Sequence, residues 1–89
     1  MFRIRIDDQP QTMTFFVEGR LSGECVDELR KVWSSKRQEA PQKNTVVDIS
    51  SVQIVDAGGR SLLHQMHRWG TMLRGSGLVI GPLIEEITQ

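Results

Sequence analysis

Residues 56–59, Asp-Ala-Gly-Gly, are the part of this sequence best suited to binding chemistry. An aspartate directly before a helix usually accepts hydrogen bonds from the first backbone N–H groups of that helix and so caps it. A helix N-terminus also attracts anions, because those N–H groups are unpaired and the dipole is positive there. Asp56 therefore predicts a capped helix start, at an edge where a partner or an anion docks.

The next residues of this loop leave two interpretations open. Gly58 and Gly59 either present free backbone amides to an anion or only permit a tight turn and close packing. Neither of the glycine-rich phosphate-binding patterns, GxxxxGK[ST] and GxGxxG, is present. Arg60 in the first helical turn is unfavourable against the dipole unless a negative group approaches it. That position indicates an anion or an acidic side chain of a partner.

No other group of residues forms a catalytic or metal-binding pattern. His64 and His67 share a helix face, but no HExxH motif or cysteine cluster accompanies them, so no zinc site is expected. Cys25 has no evident base and is expected to be packed and inert. Asp48 is either a lone buried polar residue or points to an edge, and it has no acid–base partner. We expect no enzyme activity, no metal and no cofactor.

Composition narrows the class of protein. The 89 residues suffice for one domain, 1–89, with one core. Lysine plus arginine equals aspartate plus glutamate, at 11 each, so no net field attracts nucleic acid. The single cysteine forms no internal disulfide, and no signal segment or membrane-spanning run is evident, which favours a cytoplasmic location without membrane insertion.

Hydrophobic periodicity predicts the elements that position the loop. The first half predicts two alternating strands joined as an antiparallel hairpin, then a helix from Glu24 with Ser22 as its N-cap. The β-branched run 45–49 predicts a buried strand reached by a parallel, right-handed crossover. A second helix is expected from Gly59 to Gly75-Ser76-Gly77, then a fourth strand at Leu78–Ile80 and a terminal helix starting near Pro82.

These elements predict an α/β fold: a small, mixed, mostly parallel four-stranded sheet with helices packed on one side, in the order β-β-α-β-α-β-α. Trp33 and Trp69 are expected in the core or at its rim, unless one of them anchors an interface.

The stretch Val46–Val52, followed by Ile54–Gly59 and a leucine-bearing helix, resembles the STAS domain, a family that includes the bacterial anti-sigma-factor antagonists. The usual family pattern is an apolar strand ending in Asp-Leu-Ser and then Asp-Ser-Ser-Gly. Gly19-Arg20-Leu21 is similar to the family's glycine-x-leucine turn. The resemblance implies that the second serine would be phosphorylated by an anti-sigma kinase, which breaks the complex between the two proteins.

This sequence has Ala57 and Gly58 at the two serine positions, so the usual acceptor hydroxyl is absent. Ser22 and Ser61 are the nearest hydroxyl groups and are candidate substitute phosphosites. The resemblance implies a non-catalytic regulatory module that binds a protein, either an anti-sigma factor or a kinase-like ATPase. The expected contact residues are those of loop 56–61 and the second helix: Asp56, Ala57, Gly58, Gly59, Arg60 and Ser61.

A second reading of the same resemblance belongs to another class of protein. Some members of the family are small cytoplasmic subunits of bacterial ABC phospholipid-transport systems, where they stabilise the ATPase. A chain without the regulatory serine fits that role too.

Overall fold

A computed structural model describes the whole chain, residues 1–89. Two strands come first, and helices and strands alternate after them, in the order that the hydrophobic pattern predicts. They are β1 (Phe2–Asp8), β2 (Thr12–Leu21), α1 (Glu24–Glu39), β3 (Asn44–Val55), α2 (Ala57–Arg68), β4 (Met72–Arg74) and α3 (Ile80–Thr88). None of the three helices is both long and apolar enough to cross a bilayer.

The four strands form one mixed sheet in the order β1-β2-β3-β4. β1 and β2 pair antiparallel as a hairpin, while β2 with β3 and β3 with β4 are parallel. The predicted fold class is therefore confirmed. Since α1 and α2 each connect two parallel strands, the N-termini of both helices lie at the end of the sheet formed by the carboxyl ends of β2 and β3. That end carries residues 22–24 and 56–61.

The core lies between one face of the sheet and the helices. It contains 17 buried residues from all three helices and from three strands, with Phe15, Val47, Ile49, Leu62 and Leu63 fully buried. Each such aliphatic or aromatic side chain contributes roughly 1.5–3 kcal/mol through removal from water. Alternation along the strands sends the intervening side chains to the opposite face.

A hydrogen-bonded chain of three side chains crosses the interior near the start of β3. The indole N–H of Trp33 donates to the Thr71 hydroxyl at 3.0 Å. The Thr71 and Thr45 hydroxyls are 2.6 Å apart. Both threonines are buried, so these bonds satisfy polar groups that water does not reach. They fix the Trp33 ring against the neighbouring parallel strands.

The predicted end of the second helix is wrong. α2 stops at Arg68, because Gly70 has a positive φ of 90° and the chain closes a Schellman motif there. The Gly70 N–H donates to the His67 carbonyl at 3.0 Å, and the Thr71 N–H donates to the Met66 carbonyl at 2.9 Å. The released chain is then free to form β4.

The predicted fourth strand at Leu78–Ile80 is also wrong. β4 occupies Met72–Arg74, a segment expected to be helical, and its residues pair with Val46–Asp48. Leu78 and Val79 are 97% and 64% exposed in the following loop. Ile80 is buried at the start of α3, where it belongs to the helical core face with Leu83 and Ile87.

Candidate functional site

Asp56 caps α2 as the sequence predicts. β3 ends at Val55 and α2 begins at Ala57, so Asp56 has an extended backbone with φ −84° and ψ −177°. One carboxylate oxygen, Oδ1, accepts a hydrogen bond from the Gly59 N–H at 2.7 Å. The Asp56 carbonyl accepts the first intrahelical bond, from the Arg60 N–H at 2.9 Å. The loop is thus held by the geometry of a helix N-cap.

The second carboxylate oxygen of Asp56 makes a contact with a distant part of the chain that the sequence pattern does not reveal. Oδ2 accepts from the Gly23 N–H at 3.0 Å, and Gly23 is the N-cap residue of α1. The Asp56 N–H also donates to the Leu21 carbonyl at 3.2 Å. One aspartate therefore joins the β2–α1 and β3–α2 junctions. Ser22 was predicted to cap α1, and that prediction is wrong because no side chain caps this helix.

Hydrogen bonding keeps Asp56 in its charged form. The Gly23 N–H, followed by the Gly59 N–H, lowers the pKa of Asp56 below the ordinary aspartate value, because both donors favour the carboxylate. The carboxylate occupies the place at the α2 N-terminus where an anion would bind. The Gly59 amide is therefore not open to a ligand, and the structure supports the packing interpretation of this glycine.

The two glycines of the loop have different surroundings. Gly59 is buried, and a Cβ built there would lie 2.6 Å from the Leu21 carbonyl oxygen and 3.0 Å from Val55 Cγ1. Gly58 is exposed, and its Cβ would lie at an ordinary 3.5 Å from the Asp56 carboxylate. Close packing of two junctions requires glycine at 59. Position 58 has room for a side chain.

Arg60 meets a negative group within its own chain. One of its guanidinium nitrogens lies 2.6 Å from the Glu86 carboxylate of α3. The Arg60 charge, for which an anion or an acidic side chain of a partner was expected, is therefore balanced within the chain. Both side chains are largely exposed, so the pair contributes less than about 1 kcal/mol. It links α2 to α3 next to the loop.

The remaining site residues are accessible at the surface. Ala57, Gly58, Arg60 and Ser61 are exposed, and Ser22 is half-buried. We refer to residues 56–61 as the tip. The tip carries no hydroxyl at positions 57 and 58.

The other residues considered for chemistry lie apart from the tip and from one another. No group of three His, Cys, Asp or Glu side chains converges into a metal site. Cys25 is half-buried and unpaired in α1, and His67 is exposed on α2. Asp48 is on the far face of the sheet, where it accepts from the Ser50 N–H at 2.9 Å and from Arg74 Nε at 2.9 Å. Burial alone raises the Asp48 pKa, but these hydrogen bonds outweigh it and lower the pKa overall.

A second concave surface lies at the opposite end of the molecule, where α1 and α2 finish. A cavity of about 540 Å³ is bordered by Trp33, Arg37 and Trp69. The Arg37 guanidinium carbon is 4.8 Å from the Trp33 ring centre and 5.4 Å from that of Trp69, within the range of cation–π contacts. Trp33 is buried as expected, but Trp69 is 61% exposed. The i, i+4 spacing of Trp33 and Arg37 is a signal in the sequence, whereas Trp69 joins them only through the fold.

The fold is similar to those of two solved structures that carry the same description. The unphosphorylated anti-sigma factor antagonist SpoIIAA matches with a TM-score of 0.72 and 15% identity, over 96% of this chain and 82% of that one. The antisigma-factor antagonist STAS domain from Rhodobacter sphaeroides matches with a TM-score of 0.62 and 19% identity, over 85% of this chain and 86% of that one. No protein-family model and no curated protein sequence matches. By its architecture, this chain has the fold of the STAS-domain anti-sigma-factor antagonists.

Proposed function

We propose that this protein is a non-catalytic regulatory module that binds a protein partner through the tip and the exposed face of α2. The observation that carries the proposal is the pair of hydrogen bonds that the Asp56 carboxylate accepts, one from Gly23 and one from Gly59. That carboxylate holds the starts of α1 and α2 together, while residues 57, 58, 60 and 61 remain exposed. A surface that is ordered before binding loses less conformational entropy when a partner docks.

The outward face of α2 suits a reversible protein contact. Leu62, Leu63 and Met66 are buried in the core, whereas Gln65 and Arg68 are exposed. Arg68 has no carboxylate partner within 4.0 Å, so its charge is available to an acidic side chain of another protein. Reversible interfaces are about as polar as the rest of a protein surface, and this face has that character.

The fold supports a partner from the sigma-factor regulatory systems. Both matched structures are described as anti-sigma factor antagonists. We therefore propose an anti-sigma factor, or a kinase-like ATPase acting as one, as the partner of this chain.

Binding is proposed to be independent of phosphorylation at the usual positions. Ala57 and Gly58 have no hydroxyl group, so neither residue can accept a phosphate. Of the substitute sites, Ser61 is exposed on α2 and Ser22 is half-buried. A phosphate adds nearly two negative charges where it is attached. The module would therefore remain bound under conditions that release a phosphorylated relative.

A charge introduced at the tip tests this proposal. We would compare the unmodified chain, Gly58→Asp and Gln38→Asp in calorimetry with an anti-sigma kinase-like ATPase. Gln38 is an exposed position of α1 outside the tip, so it is the matched control. We expect Gly58→Asp to weaken binding at least about tenfold, or about 1.4 kcal/mol, and Gln38→Asp to have little effect. Circular dichroism would check that both variants fold, and equal affinities would refute the role of the tip.

Co-purification distinguishes the proposed partner from the alternative. Co-expression with the kinase-like ATPase should yield a stable complex. If the chain instead co-purifies only with an ABC ATPase and its permease, it is a STAS-like subunit of a phospholipid-transport system. A chain that binds neither protein would contradict both assignments.

A further inference from the structure

The outer edge of β1 is an open template for another strand. β1 is the first strand of the sheet and pairs only with β2. Its seven residues, Phe2–Asp8, pair with β2 without a bulge and contain no proline. Proline, bulges, short length and charged side chains are common means of preventing strand addition, and of these β1 has only the charged side chains.

Hydrogen bonds at both ends of the hairpin identify which groups face outward. The Arg20 N–H donates to the Met1 carbonyl, and the Gln9 N–H donates to the Thr12 carbonyl, at 3.3 and 2.9 Å. The odd-numbered residues of the first strand are thus the ones bonded to β2. Bonding alternates in an antiparallel pair, so the even-numbered residues direct their N–H and C=O groups away from β2. These residues are Phe2, Ile4, Ile6 and Asp8.

The apolar side of this edge is incompletely covered. Phe2, Ile4 and Ile6 pack against the core but are only partly buried, whereas Phe15 and Val17 of β2 are 0% and 1% exposed. A further strand beside β1 would remove part of this apolar row from water and satisfy the outward N–H and C=O groups.

The charged side of β1 is complementary to itself. Arg3, Arg5 and Asp7 alternate with the apolar residues and are all exposed. In an antiparallel pairing of two copies about a two-fold axis at Arg5, Arg3 of each copy lies opposite Asp7 of the other. The same register places Ile4 opposite Ile6. Opposite charges and apolar residues directly across two strands stabilise their pairing.

The Arg5 side chain, which starts on the two-fold axis, points away from that axis. The Arg5 guanidinium carbon lies 4.3 Å from the ring centre of Phe16, its cross-strand neighbour on β2. Each arginine is therefore held over its own sheet, which separates the two like charges.

We propose that two copies of this chain associate through β1, in an antiparallel two-fold pairing centred on Arg5 that joins their sheets into one. The proposal rests on β1 alone and does not depend on the proposed function. Edge pairing of one strand buries less than the roughly 1,200–2,000 Å² of a standard stable interface. The dimer is accordingly weak and depends on concentration.

A charge-exchange cycle tests the register. In sedimentation equilibrium, the average mass of the unmodified chain should rise from the monomer value toward twice that value with concentration. Arg3→Asp and Asp7→Arg should each remove that rise, because each places like charges opposite one another, and the double variant should recover it. Lys31→Asp, on the exposed side of α1, is the matched control and should dimerise normally. Circular dichroism would check that every variant folds.

Amide hydrogen exchange gives a second readout that does not depend on substitution. The Ile4 and Ile6 N–H groups should exchange at least about tenfold more slowly at high concentration than at low concentration. The Arg3, Arg5 and Asp7 N–H groups already bond to β2 and should change much less. A chain that stays monomeric at the highest concentration overturns the proposal. So does a dimer that both single charge variants leave intact, or a double variant that fails to recover.

Discussion

The two adjacent glycines of the tip should respond to the same substitution with opposite signs. Gly59→Ala adds a methyl group where the Leu21 carbonyl oxygen would be 2.6 Å away and Leu21 Cγ 3.1 Å away. The nearest obstacle is backbone, so the β2–α1 junction must move for the methyl group to fit. That movement would also disturb the hydrogen bonds that Asp56 makes to both junctions.

The magnitudes follow from these surroundings. Forcing an extra methyl group into a packed site costs about 1–3 kcal/mol, so Gly59→Ala should lower the free energy of unfolding by that amount. Gly58→Ala meets its nearest atom at 3.5 Å and loses no contact. Alanine stabilises a helical position by roughly 0.5–1 kcal/mol relative to glycine. The two variants should therefore differ by about 1.5–4 kcal/mol, and one kcal/mol shifts the melting temperature of a domain of this size by about 4–8 °C.

Urea unfolding followed by far-ultraviolet circular dichroism measures both variants against the unmodified chain. We expect a lower midpoint for Gly59→Ala, and an equal or higher midpoint for Gly58→Ala, with unchanged slopes. If Gly59→Ala is as stable as Gly58→Ala, the close approach between the two junctions does not exist in solution. The inference about a rigid tip would then fail with it.

Further substitutions examine the core, the buried polar chain and the acidic groups. Leu63→Ala should lower the free energy of unfolding by about 2–5 kcal/mol, while Arg68→Ala should change it by less than about 0.5 kcal/mol; similar melting temperatures would mean that the helix face is misassigned. Thr71→Val leaves the Trp33 N–H without a partner and should cost about 1–3 kcal/mol in the same assay, and a neutral result would contradict that bond. Asp48 and Asp56 have pKa values in the folded protein below the ordinary 3.8. Their contribution to the free energy of unfolding is therefore complete above pH 3.8, and it is lost as the pH falls through their folded pKa values. Asp48→Asn and Asp56→Asn should each flatten the loss of stability below about pH 4 in urea titrations, and an unchanged pH profile would show that the hydrogen bonds do not persist. With any kinase, peptide mapping should find no phosphate at residues 56–59; a phosphopeptide confined to them would be irreconcilable with the absence of a hydroxyl there.

Local patterns predicted the part of the fold that local chemistry determines. Alternation in the first two strands, the β-branched run of β3 and the aspartate before α2 each act within a few residues. The structure has a hairpin, a parallel crossover and a capped helix at those places. The fold class follows from these elements, because short connections and right-handed crossovers leave few arrangements.

The errors arose where two local signals competed. Gly70 and the run Gly75-Ser76-Gly77 are both capable of ending a helix, and the helical spacing of Leu73 favoured the later one. The helix ends before Gly70, because the Schellman hydrogen bonds there satisfy the last carbonyl groups of α2. Leu73 is then able to pair with β3 as part of β4. Leu78 and Val79 have strand propensity but no neighbouring strand with which to pair.

The most important contacts of the tip were beyond the reach of sequence reasoning. Asp56 and Gly23 are 33 positions apart, and only the parallel crossover from β2 to β3 brings them together. Arg60 and Glu86 are 26 positions apart and meet because α3 packs beside α2. A pattern of residue types showed that the carboxylate and the guanidinium need partners. It did not show that the chain supplies those partners itself.

Because the two tryptophans have different surroundings, their intrinsic fluorescence can report on the state of this chain. Trp33 is shielded and stacked beneath a guanidinium, while most of Trp69 is in contact with solvent. Emission from the shielded ring should be blue-shifted and resistant to acrylamide quenching, whereas emission from the other should be red-shifted and readily quenched. A ligand that covers the exposed ring would change one spectral component and leave the other in place. Global unfolding would expose both rings and merge the two spectral components. Ligand binding and unfolding can therefore be distinguished by fluorescence without an added dye.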